Sequence, residues 1–392
     1  MSRHPRLPFA AFARAARKRL APAVPLLAGL LMAATGVGET AASAAVDPWF
    51  AEWETITVAD GLPSARVLAV EVDGETVWAG TERGLARIRG RKIDTFGVEH
   101  GLPLAVVTAL DVDPLSGDLW IGTLGGLARW SAGRIDAFTQ LDSGLANDVV
   151  YGVAVNDGIV WAATASGLSR YDTATDAWEI FDASNTLMHE PWCYGVTVSG
   201  ETLYVAVWGG GVVERDLRTG VFRDHRDPDG EMEIDLFRDD GLVHDVTSAV
   251  AAARGVLWVG TYFGLSRYDG RRWRSWGKAD SGLAGNFINA LTARDDAVWI
   301  ATDQGLSRYD TVTWHTWRRR AGGVEITATT DDGGLAETFR TRGGPASNTI
   351  FGMAFQGDDL WLATASGLDH ASARNQAAPG EPGAPSNTGV QR

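Results

Sequence analysis

Short runs rich in β-branched and aromatic residues follow one another along residues 53–370, each closed by Gly, Asp or Asn. In the first complete unit the runs are 67–72, 76–81, 85–89 and 92–96, with Asp73-Gly74 as a hairpin turn between the first two. Four such runs recur about every 41 to 43 residues, stretched only where insertions fall. Repetition at that period, four strands at a time, predicts one propeller blade per unit.

Each unit carries the motif W-x-[GA]-T-x-x-G-L. It stands at Trp78–Leu85, Trp120–Leu127, Trp161–Leu168, Trp258–Leu265, Trp299–Leu306 and Trp361–Leu368, with a degenerate copy from Tyr204 to Val212. In a strand the Trp and the small residue two places on share a face, so the ring is expected to wedge between sheets while Gly or Ala admits the next blade. The Gly of Gly-Leu supplies a turn position with positive φ, and the Leu returns to the core. Innermost strands are expected near Val67, Val106, Val149, Cys193, Val246, Phe287 and Thr349. The last unit runs out after its third strand near His370, and Trp53–Val58 resembles the missing fourth. The predicted fold is therefore all-β: a seven-bladed β-propeller of four antiparallel strands per blade, closed by the N-terminal strand completing the last blade.

Composition sets the ends and the compartment. Six basic residues between Arg3 and Arg19 precede an apolar run from Leu20 to Val37, and Ala42-Ser43-Ala44 offers small residues for cleavage. Residues 1–44 read as a signal peptide, with an uncleaved anchor as the other reading. The propeller is expected over 45–372, followed by a disordered Pro- and Gly-rich tail over 373–392. The protein is thus expected in the periplasm or secreted. Its single cysteine, Cys193, forbids an internal disulfide, so core packing alone must hold the fold. Cys193 itself reads as a small buried apolar residue. Loss of residues 1–44 moves the net charge from −14 to −19, which argues against nucleic acid as a partner.

The repeat, together with the Gly-Leu-Pro or Gly-Leu-Ala at Gly61, Gly101, Gly144 and Gly282, resembles the two-component regulator propeller repeat over roughly residues 53–370. The resemblance implies a periplasmic ligand-binding, sensor-type module, often for carbohydrates. No transmembrane helix, immunoglobulin-like module or kinase follows the repeats in this sequence. The expectation is a binding platform, not a signalling output, and a monomer.

Ligands of propellers commonly sit where the loops leading into the innermost strands and the turns joining second to third strands meet, at the channel mouth. The residues expected there are Arg66, Asp148, His189, Glu190, Trp192, His244, Asp245, Asn286 and Asn348 from the lead-in loops, with Trp208, Tyr262 and Phe263 from the turns. One reading makes them a polar ring with aromatic platforms for a neutral or cationic small molecule, a glycan or a protein partner. The other makes the Asn and Asp side chains turn caps bonded to their own backbone. Blade four departs most from the motif, which points to a site there. No cofactor and no metal is expected: His189, Glu190, His244 and Asp245 come from separate repeats without a ligand spacing. An acidic insertion around 224–240 fails the calcium-loop pattern at His225 and Leu236, and a second, around 318–344, is expected as a hairpin lid over the mouth. No catalytic motif is recognisable, so the chain reads as a non-enzyme. The alternatives are an envelope scaffold, or a lyase or glycoside-cleaving enzyme using carboxylates and His from the same set.

Overall fold

The computed structural model describes residues 49–228, 239–331 and 334–373. The leader, nearly all of the expected tail, and Asp229 to Asp235 of the acidic insertion lie outside them. Seven antiparallel sheets follow one another around a ring, six of four strands and one of six. Their innermost strands are Val67–Asp73, Val107–Val112, Val150–Asn156, Cys193–Ser199, Thr247–Ala253, Ile288–Arg294 and Ile350–Gln356. Each blade runs outward strand by strand, except the seventh. There Phe50–Ile56 pairs antiparallel with Gly367–Ala373 as the outer strand, so the two ends of the ring meet in one sheet. Ala373, expected in the tail, ends that third strand.

The motif residues do what their chemistry allows. Trp78 meets Trp130 of blade two at 5.5 Å between centroids, and Trp120 and Trp258 meet Tyr171 and Tyr309 of their following blades in the same way. These rings form the cores between blades. A Cβ on Gly80 would lie 2.5 Å from Val107, so the small residue is what lets blade two approach. The motif threonine closes the turn at the far end of its strand. Thr81, Thr123, Thr164, Thr302 and Thr364 each donate Oγ1–H to the carbonyl of the motif glycine and accept an N–H of the turn. The Leu of Gly-Leu-Pro or Gly-Leu-Ala is buried at Leu62, Leu102, Leu145 and Leu283.

The second insertion is a hairpin, but not a lid. Gly323–Thr330 pairs along the whole outer strand of blade six, Thr313–Arg320, and Leu335–Thr341 pairs outside that. The open backbone edge of the outer strand captures the insertion as an extension of the blade-six sheet. Val324, Ile326 and Phe339 pack with Phe50 and Trp53 of the closing strand. At its far end Asp331 accepts Nε1–H of Trp276 in blade five at 3.1 Å and the hydroxyl of Tyr309 at 2.6 Å.

Candidate functional site

On one face of the ring the lead-in loops and the turns between second and third strands are joined by one hydrogen bond per blade. The carbonyls of Arg66, Val106, Val149, Trp192, Val246, Phe287 and Thr349 accept the first N–H of the turns at Glu82, Leu124, Ala165, Trp208, Tyr262, Asp303 and Ala365. These paired residues encircle the mouth.

Blade four breaks the turn pattern, and the break moves an aromatic ring. Val207 replaces the motif Thr, and Val207 pairs with Gly211, so the turn gains a residue. The missing hydroxyl is supplied from blade five: Thr247 Oγ1 donates to Gly211 O at 2.7 Å and Val207 O at 3.0 Å. Gly211 also donates its N–H to Asp245 O. Drawn onto blade five, Trp208 bridges Val246 and stands edge-on to Tyr262 at 6.2 Å.

From there aromatic contacts run in both directions. Trp208 meets Tyr194 at 4.8 Å, and Tyr194 stacks on Tyr151 at 4.3 Å with the rings 7° from parallel. On the other side Tyr262 touches Phe263 and Phe287 at 5.2 and 5.0 Å, and Phe263 packs on His244 at 4.3 Å. The result is a continuous crescent over blades three to six. Tyr262, 42% exposed, within it and Trp192, 48% exposed, beside it present large apolar surface to solvent. Burial raises the pKa of both Tyr151 and Tyr194, so their hydroxyls stay protonated donors.

Nine of the twelve predicted residues fall into two groups. Trp208, Tyr262, Phe263 and His244 are in the crescent, with Trp192 next to it. His244 is neutral in character, because burial lowers its pKa and Nδ1 accepts the Val246 N–H. Asp148, Asp245, Asn286 and Asn348 instead clamp the loops: their side-chain oxygens accept the N–H groups of Gln140, Asp227, Lys278 and Arg319 at 2.7 or 2.8 Å. These bonds run to the backbone that precedes each lead-in loop, which for Asn348 is the outer strand of blade six, and not to the neighbouring turn residues. Asp245 also holds Arg226. Arg66 lies across the mouth, paired with Glu82 at 3.0 Å and over the ring of Phe351 at 4.5 Å. His189 is 3.7 Å from Asp224, and Glu190 borders the Gly209–Gly210 turn. Among the described residues no three His, Cys, Asp or Glu side chains are placed to hold a metal ion. Cys193 is buried and its thiol is pushed up to about 12, an inert core position.

Tyr151, Tyr194 and Phe287 were not among the expected site residues. The signal for the two tyrosines was partial: each follows the buried first residue of an innermost strand, Val150 or Cys193, but falls at a β-bulge where it has no cross-strand partner and regular alternation does not hold.

No family model and no curated protein matches the sequence. Solved structures share the fold at low identity. The extracellular domain assigned to the hybrid two component system BT3049 of B. thetaiotaomicron superposes with a TM-score of 0.62 at 16% identity, over 83% of this chain and 42% of that one. The extracellular domain assigned to the one component system BT4673 of the same organism gives 0.61 and 17%, over 82% and 40%. Virginiamycin B lyase from Staphylococcus aureus gives 0.58 and 12%, over 82% and 98%. The chain thus spans about two-fifths of the length of the two extracellular domains. Among the described residues no helix is long and apolar enough to cross a membrane.

Proposed function

We propose that this propeller is an exported, sensor-type recognition module that holds a ring-bearing ligand, such as a sugar, against the aromatic crescent. The observation that carries the reading is the unbroken run of aromatic contacts from Tyr151 through Trp208 and Tyr262 to Phe287 on one face of the ring. Flat apolar faces with hydroxyls at their edges suit a ring that carries both C–H faces and polar groups. Resemblance to extracellular sensor domains supports the same reading, as does the engagement of Asp148 and Asp245 in loop clamps, which withdraws two carboxylates from the catalytic alternative.

The test is a thermal-shift panel of neutral sugars against the wild type, Trp208→Ala and Tyr262→Ala. A ligand bound only by the folded state raises Tm. The expected result is a shift with at least one sugar that both variants lose; silence across the panel, or shifts that survive both substitutions, overturns the reading.

A further inference from the structure

Beside the crescent, at blade six, lies a cavity of about 240 Å³, lined by Lys278, Asp303, Gln304, Arg318, Arg320 and Asn348. It borders the crescent directly: Asp303 donates its N–H to the carbonyl of Phe287, whose ring packs on Tyr262. In a chain of net charge −14, three cationic side chains around one small cavity call for an account.

Two of the three are neutralised. The Arg320 guanidinium makes two bonds to one oxygen of Glu325, at 3.1 and 3.2 Å. Lys278 bonds Gln304 and favours the charged form of Asp303, offsetting its single negative charge. Arg318 is different. Its Nη2 donates to the carbonyls of Leu283 and Ala284 at 3.0 and 2.9 Å, which fixes the plane of the guanidinium. Its Nε and Nη1 have no partner, and no carboxylate stands at ion-pair distance, among the described residues. Burial disfavours its charge and Arg320 nearby disfavours it further, while Glu325, already held by Arg320, favours it less strongly. A guanidinium stays charged regardless, so a positive charge without a direct ion-pair partner among the described residues, and with three N–H donors to spare, lines a partly enclosed space.

We propose that this cavity is a subsite for a single carboxylate, carried by the same ligand that lies on the crescent. The planar fork of Arg318 matches a carboxylate, and Asp303 at the border disfavours a group with two negative charges. The source of the carboxylate rests on the reading of the crescent; the chemistry of the cavity does not.

The full chain is titrated with acetate at constant ionic strength, with chloride as control, while the Arg318 Nε–H resonance is followed by NMR and assigned by its loss in Arg318→Gln. A saturable, acetate-dependent shift is expected; a response no greater than that to chloride overturns the subsite. In a second arm D-glucose and D-glucuronate, which differ in one carboxylate, are compared by calorimetry. Wild type should prefer glucuronate by about tenfold, the scale of one charge-assisted pair. Arg318→Gln should remove that preference and leave glucose affinity unchanged. Lys278→Met, at an exposed position outside the core, should weaken it severalfold. Equal affinities in wild type, or a preference that survives Arg318→Gln, overturn the shared ligand. Acetate binding without binding of either sugar supports the subsite and refutes the crescent reading.

Discussion

Thr247 shows how one hydroxyl can fix a functional ring. It is buried, and its Oγ1 takes the place of the motif threonine that blade four lacks, holding Gly211 and Val207 from the neighbouring blade. Thr247→Val keeps the shape and leaves two buried carbonyls with one partner fewer. A cost of about 1–3 kcal/mol follows from that loss. The expected outcome in calorimetry is a Tm lower by several degrees, with weaker sugar affinity because Trp208 is no longer drawn toward Tyr262; a variant as stable as wild type would contradict this role. The exchange of hydroxyl between blades explains why the blade-four anomaly was legible in the sequence while its meaning was not. Val207 and Trp208 mark the departure, but Thr247 lies forty residues on, at a position filled by Val, Ile or Cys in the other blades. In the same way Asp148, Asp245, Asn286 and Asn348 stood out as polar residues at the mouth, and only the fold shows that their oxygens are taken by the backbone of the preceding loop or, for Asn348, of the outer strand of blade six.

At the scale of the element, period and turn chemistry made the blades legible, including the closure of the ring by the N-terminal strand. What they could not place was the insertion after Arg318. Its alternation shows a hairpin, yet the partner edge of a hairpin is a tertiary choice, and the outer strand of blade six offers eight residues of free backbone. The consequence is a brace rather than a lid. The hairpin covers Phe50 and Trp53 on the seventh blade, and Asp331 ties it to Trp276 and Tyr309 while pairing with Arg274 of blade five. Asp331→Ala leaves an indole N–H, a phenol and a guanidinium without their acceptor. Faster hydrogen exchange at the Trp276 indole and a lower Tm are expected, with ligand affinity at the mouth unchanged. A large loss of sugar binding in this variant would mean that the hairpin reaches the mouth after all.

The whole ring carries a signature in its dependence on pH. Glu71 and Asp111, on the innermost strands of blades one and two, are half-buried and close enough to repel: desolvation, then the charge of Asp111, pushes the Glu71 carboxyl up to about 8, and desolvation pushes Asp111 to about 6. Asp111 also accepts the Val155 N–H from blade three at 2.6 Å, so its carboxylate staples adjacent blades. Asp369, at the closing seam, holds the Thr55 hydroxyl and the Ala346 N–H and is likewise raised to about 6 by burial. In each case the folded protein binds a proton more tightly than the unfolded chain, whose carboxyls titrate near 4. The contribution of each group is therefore fully present below about pH 4 and is lost as pH rises, through about 6 for the two aspartates and about 8 for Glu71. The exposed carboxylates whose pKa is lowered, such as Asp60 and Asp142, act in the opposite sense but are screened by solvent. Tm should accordingly fall between pH 5 and 8, where most enclosed carboxylates of this set ionise. Glu71→Gln, which keeps the volume and cannot ionise, should flatten the part of that slope above pH 6 and raise Tm at pH 8 relative to wild type. A wild-type Tm that climbs across this range, or a Glu71→Gln profile parallel to it, would mean that the innermost carboxylates are compensated by charge elsewhere in the ring.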